Sequence, residues 1–261
     1  TQQMWTSDRK VAALAVDQFL GWERDRSGRP FFAFINLYDA HLPYDPPAPW
    51  GRRFATSPVA LDRYDGAVAY MDHELGRLFG ELARRGVLDS TLVIVTSDHG
   101  EGFGEHGLSG HGNSLYRPEL HVPLVMRFPG HIPSGRRVDE AVSLRDLGAT
   151  VLELSGGNAS DLGGASLGGL WDSTSARPHS PVVSEVSAGI NTEPRDPVSR
   201  GPMRSLIDAQ HHYIHNGDGV EELYDYRADS VELHDVATAR GAFVTQMRDA
   251  AARALSSFVP R

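Results

Sequence analysis

The sequence predicts an α/β protein: a mainly parallel sheet with helices on both faces, followed by a small C-terminal subdomain with an antiparallel hairpin. Three observations carry this reading. Leu92-Val93-Ile94-Val95-Thr96 is a continuous apolar, β-branched run, the pattern of a strand buried on both faces. Phe31-Phe32-Ala33-Phe34-Ile35-Asn36-Leu37 and Val122-Pro123-Leu124-Val125-Met126-Arg127-Phe128 are further apolar runs. Helical stripes separate them, and strands alternating with helices favour a parallel sheet with helical crossovers.

In chain order, Val11, Leu14, Ala15, Phe19 and Leu20 predict a helix over about Val11 to Trp22 that stops before Gly28 and Pro30. The strand Phe31–Leu37 should follow, ending in Tyr38, Asp39 and His41 ahead of the stiff loop Leu42-Pro43-Tyr44-Asp45-Pro46-Pro47. Tyr64, Val68, Met71, Leu75, Leu78, Phe79 and Leu82 form a second helical stripe, with Gly86 as its C-terminal stop. Past the strand at Leu92–Thr96 comes a glycine-rich turn through Gly100, Gly102 and Gly104, then Gly110-His111-Gly112-Asn113. Ser143 is placed to cap a helix through Leu154 that ends at Gly156-Gly157. The stretch from Asn158 to Arg200 reads as loops around a weak strand at Val182–Val186. Met203–Asp208 and Gln210–His215 form a hairpin, Glu222–Asp225 a further strand, and Ala239–Phe258 a final helix. These elements group into a core over 1–180 and a C-terminal subdomain over 181–261.

Bulk properties exclude some functions. The 261 residues carry a formal charge of −9, against a nucleic-acid backbone as principal partner. There is no run of about 18 apolar residues to span a bilayer. Without cysteine there is no disulfide, thiolate metal site or cysteine nucleophile, and Lys10 is the only lysine. Thr1 to Lys10 lack the apolar core of a signal peptide, so any targeting segment is expected upstream, and the sequence leaves localisation open.

Chemistry concentrates where apolar runs stop. Ligands of open α/β sheets collect at the carboxyl ends of strands, and Asp98-His99 falls at such an end. A carboxylate beside an imidazole can bind a divalent cation through oxygen and nitrogen. His41, braced by prolines, is a second candidate.

Four stretches in order resemble the sulfatases, members of the alkaline-phosphatase-like superfamily. These are Phe34–Pro47, Tyr64–Asp72, Thr96–Glu101 with Gly104–Gly107 and His121–Val125, and Glu221–Asp225. The resemblance implies metal-dependent hydrolysis of a small anionic sulfuric ester. The cation is usually calcium, in some branches manganese or zinc. Asp98 and His99 match two metal ligands. His41 matches a histidine at the transferring group or leaving oxygen. His111, or Gly112 in the neighbouring register, lies where many sulfatases carry a sulfate-contacting lysine. Glu101, His106 and Asn113 are candidates for orienting the ligands.

The family's nucleophile lies in a Cys/Ser-x-Pro-x-Arg motif, the Cys or Ser being oxidised to formylglycine. The 261 residues contain no such motif, nor the family's early Asp-Asp ligands. The expectation is therefore the C-terminal part of a larger enzyme, inactive alone, and self-associated or paired with an N-terminal segment. Alternatives are a phosphoesterase or phosphoglycerol transferase of the same superfamily, or a noncatalytic anion-binding module.

Overall fold

The computed structural model describes residues 11–26, 28–54, 59–158, 162–172, 181–189 and 192–256. The chain divides into two compact units, Thr1–Thr91 and Leu92–Arg261.

In the first unit, helix α1 (Ala12–Asp25) and helix α2 (Val59–Arg84) pack through Val16, Leu20, Leu78 and Leu82. The Val11 side chain cannot cap α1, so the buried Asp39 carboxylate accepts the Ala12 N–H at 2.9 Å. Asp39, expected as part of a polar strand end, is thus a helix cap. Helix α2 stops as the sequence anticipates. Gly86 takes φ 68°, Val87 N–H donates to the Leu82 carbonyl, and Gly86 N–H donates to that of Ala83.

The expected strand Phe31–Leu37 is absent: this segment has no regular secondary structure. Phe32 and Phe34 are 81% and 85% exposed, while Ile35 packs on the α1–α2 cluster. Apolar composition supplies side chains for a strand, but a strand also requires a neighbour to take its backbone hydrogen bonds, and none pairs here.

The second unit is antiparallel, correcting the parallel sheet. Strand β1 (Val93–Thr96) pairs antiparallel with β4 (Leu124–Arg127), in the register Val93↔Arg127 to Thr96↔Leu124. The expected burial of β1 on both faces is not observed, since its residues are half-buried and Thr96 is exposed. Two short strands, β2 (Gly102–Phe103) and β3 (Ser109–Gly110), close the glycine-rich turn, and the one-turn helix α3 (Arg117–Leu120) follows. Helix α4 (Asp146–Leu154) begins two residues later than expected; Ser143 Oγ accepts the Arg145 N–H.

The C-terminal strands match the sequence pattern closely. β5 (Val182–Val186), β6 (Met203–Ile207), β7 (His211–His215) and β8 (Glu221–Asp225) form one antiparallel sheet in that order. Helix α5 (Gly241–Ser256) covers it through Val244, Met247 and Ala251 against Leu206, Tyr213 and Leu223. Its expected end at Phe258 lies outside the described residues. The other face carries Met203, Ile214 and Tyr224 against Leu108, Leu115, Tyr116 and Val198. Among the described residues no helix is long and apolar enough to cross a membrane.

Two buried carboxylates stitch this unit. Glu232, at φ 59° and 0% exposure, meets Nδ1 of the equally buried His212 at 2.7 Å and accepts the Arg117 N–H at 2.9 Å. Glu222 accepts hydrogen bonds from Tyr116 (3.0 Å), Tyr224 (2.5 Å) and Asn216 (2.6 Å). Burial and the Glu222 charge push both tyrosine hydroxyls well above their ordinary range.

Truncating Leu223, fully buried on β8 beneath α5, should cost about 2–5 kcal/mol, read from urea unfolding of Leu223→Ala. Hydrogen bonds from Arg248 hold the Glu221 carboxyl below the usual carboxylate range. A depressed carboxyl contributes stability above its unfolded value, lost as pH falls through the folded one. Arg248→Ala should therefore flatten the acid limb of the stability curve below about pH 4.3, as measured by unfolding at stepped pH.

Candidate functional site

Asp98 and His99 follow β1 directly. Ser97 Oγ donates to the His99 carbonyl at 2.7 Å and so bends the chain there. The Asp98 side chain is 89% exposed and that of His99 40%, with Asp98 Oδ2 3.7 Å from His99 Nε2. His99 Nδ1 lies 2.8 Å from the Gly100 carbonyl. A carbonyl only accepts, so Nδ1 bears the proton and the neutral ring presents its lone pair at Nε2, on the Asp98 side. Ligand bonds of about 2.0–2.5 Å to one ion place neighbouring donor atoms about 3–4 Å apart, so the pair fits two positions of one coordination sphere. Backbone orientation of a ligating imidazole through its other nitrogen is the usual support for such a ligand. Among the described residues, no group of three or more His, Asp or Glu side chains could hold an ion.

His111 joins them. Its ring stacks on His99 with centroids 4.0 Å apart and planes 28° apart. Its Nδ1 lies 3.2 and 3.3 Å from the two oxygens of Glu101, a carboxylate with 4% of its side chain exposed. The carboxylate accepts, so Nδ1 donates and the imidazole orientation is set. Gly110 and Gly112, on either side, take φ 87° and 74°, a conformation that other residues adopt only at a cost. Gly100 has a different reason to be glycine: a Cβ there would overlap the Pro118 carbonyl.

The other candidates fall elsewhere. His106 stacks on Tyr116 at 3.6 Å, and its Nε2 donates to the Val231 carbonyl, so its contacts face the C-terminal sheet. Asn113 donates to the Ser109 carbonyl and accepts the Val198 N–H on its own backbone carbonyl, which closes the turn around His111. His41 belongs to the first unit. It stands in a turn rather than after a strand, stacked on Tyr38 at 4.3 Å, with Nδ1 donating to the Leu42 carbonyl at 2.9 Å. Its neutral ring therefore also carries its lone pair on Nε2.

Sequence reasoning missed Glu119. Buried on α3, it accepts the Gly112 N–H at 2.5 Å and the Ser114 hydroxyl proton on its carboxylate, and the Gly100 N–H at 2.7 Å on its backbone carbonyl. Burial pushes its carboxyl up, against the pull of those hydrogen bonds. An isolated glutamate just before a strand carries no periodic or motif signal that could have marked it.

The site thus consists of a carboxylate and an imidazole just past a short strand, with a second imidazole stacked beside them on a glycine turn. The profile of the sulfatase family matches residues 2–157, and the chain belongs to that family. It is 30% identical over 187 residues to a choline-sulfatase of Rhizobium meliloti, covering 67% of this chain and 32% of that protein. It is 29% identical over 166 residues to human arylsulfatase D, covering 57% of this chain and 26% of the relative. The chain thus spans about a quarter to a third of these relatives. The crystal structure of a phosphonate monoester hydrolase from Agrobacterium radiobacter superposes with a TM-score of 0.78 at 23% identity, over 94% of this chain and 60% of that one. The fold is therefore the alkaline-phosphatase-like fold of sulfatases and their neighbours.

Replacing Gly100 by alanine should drive the Pro118 carbonyl and the His99 turn apart. The expected result is a Gly100→Ala variant that keeps its far-UV circular dichroism but shifts the His99 and His111 imidazole resonances in NMR. Unmoved resonances would show that the close approach does not set the ring geometry.

Proposed function

We propose that this chain is the part of a metal-dependent sulfuric ester hydrolase that supplies two cation ligands, Asp98 and His99, and an imidazole, His111, facing the ester anion. The 3.7 Å separation of Asp98 Oδ2 from His99 Nε2, with the lone pair turned toward the carboxylate, carries the reading. When bound, a divalent cation there supplies Lewis-acid stabilisation of the ester oxygens. Family membership makes calcium the reference ion, while the imidazole donor favours manganese or zinc.

The chain's own residues then divide the work. Asp98 supplies anionic oxygen in open solvent, and His99 a neutral nitrogen fixed in one tautomer. His111, held by Glu101 through Nδ1, donates from Nε2 to a sulfuryl oxygen as the imidazolium, the protonated form that stands in for the lysine absent here. The attacking group comes from outside these 261 residues, since no cysteine and no Cys/Ser-x-Pro-x-Arg motif occurs among them. The chain alone is therefore inactive, and the bare Phe32 and Phe34 form a face for that further region.

A second reading, hydrolysis of a phosphate or phosphonate ester, draws support from the nitrogen ligand and from the hydrolase whose fold this chain shares. Aryl sulfate and aryl phosphonate esters, assayed with the chain alone and joined to its upstream coding region, separate the two. The joined protein is expected to cleave the sulfate and the isolated chain neither. Turnover by the isolated chain would overturn the division of labour. In the joined protein Asp98→Ala should remove the bound metal and lower activity at least about 100-fold, because such an ion contributes several kcal/mol. Unchanged metal content would reject Asp98 as a ligand.

A further inference from the structure

His111 sits between two glycines in left-handed conformations, which should be the softest part of this turn. Its ring nevertheless stacks on that of His99, which lies well before it in the chain, on the far side of the β2–β3 turn. Two carboxylates face this problem. Glu101 grips the His111 ring directly. Glu119 grips the backbone next to each ring. Its carbonyl takes the N–H of Gly100, the residue after His99. Its carboxylate takes the N–H of Gly112, the residue after His111, and the hydroxyl proton of Ser114.

We propose that Glu119 is a positioning residue that sets the distance and angle between His99 and His111. Every bond in the chain of contacts is short, and the carboxylate is buried, so water does not compete for it. The anchor has a specific chemistry. Its two oxygens accept from the Gly112 and Asn113 amides and from the Ser114 hydroxyl, at the reach of a glutamate side chain. Glutamine preserves one acceptor for the Gly112 amide and can donate to the Ser114 oxygen once that hydroxyl turns. Aspartate keeps the charge but falls short by one methylene. Alanine loses all the carboxylate contacts and keeps only the backbone bond to Gly100.

The inference rests on the reading of Asp98, His99 and His111 as one functional cluster, and its test separates the two. Imidazole 15N resonances of His99 and His111 are recorded on the full chain, and Mn2+ alone is titrated with broadening of those resonances as the readout. Glu119→Ala is expected to shift both imidazoles, to retain the far-UV spectrum of the β5–β8 sheet, and to weaken Mn2+ broadening of His99 about 10-fold. Glu119→Gln should restore both shifts and the affinity to within about threefold, whereas Glu119→Met, of similar volume but without acceptors, should not; a purely space-filling role would let both rescue. If Glu119→Ala fails to fold, Glu119→Asp carries the test, with both imidazoles expected to move. Stationary imidazoles in a folded Ala or Asp variant would overturn the proposal, as would Gln behaving like Ala. Asp98→Ala tests the metal reading separately. If the parent chain shows no Asp98-dependent Mn2+ broadening, that reading fails while the imidazole shifts still judge Glu119.

Discussion

The second unit depends on seating two flexible turns on a rigid sheet, and the contact that does so is the buried carboxylate of Glu222. Tyr116, reaching down from the segment after His111, and Tyr224, standing on β8, both donate to it, while Asn216 holds its other oxygen. Leu108 and Leu115 pack on the same face beside Met203 and Ile214. A buried carboxylate is costly unless every lone pair is matched, so this contact admits one arrangement and few near neighbours. The glycine turns bearing His111 thus inherit a fixed base despite their own conformational freedom.

In both units, nearby acceptors decide where the protons of the candidate histidines sit. The Gly100 carbonyl, the Leu42 carbonyl and the Glu101 carboxylate each take an Nδ1 proton from a different histidine. All three neutral rings therefore carry their lone pair on Nε2. Each ring is thereby held in one tautomer, with Nε2 left as the ligating or accepting nitrogen.

Much of this is legible in the residues themselves. Asn216-Gly217-Asp218-Gly219 announces a turn, the flanking alternation announces strands, and β5 to β8 appear where that punctuation puts them. Asp98-His99 stands out because a β-branched run stops at it. The direction of strand pairing does not stand out. Val93–Thr96 reads as buried parallel strand, yet its partner is β4, running the other way, since apolar content reports burial but not the direction of a neighbour. Phe31–Leu37 fails for a related reason: its pattern is a strand's, but its hydrogen-bonding partner is not among the described strands. Glu119 and Glu222 are invisible in sequence because a single buried carboxylate has no period, and its value lies wholly in what the fold brings to it.

His212 and Glu232 show what such burial entails for variation. Neither reaches solvent, and each answers the other's polarity across 2.7 Å. Losing Glu232 takes from the buried His212 the carboxylate at its Nδ1, and losing His212 leaves the buried Glu232 with the Arg117 N–H, a penalty above that of exchanging both for hydrocarbon of similar volume. Though 20 residues apart, the two positions form one heritable unit. Exchanging the pair for apolar residues therefore costs least when both positions change together.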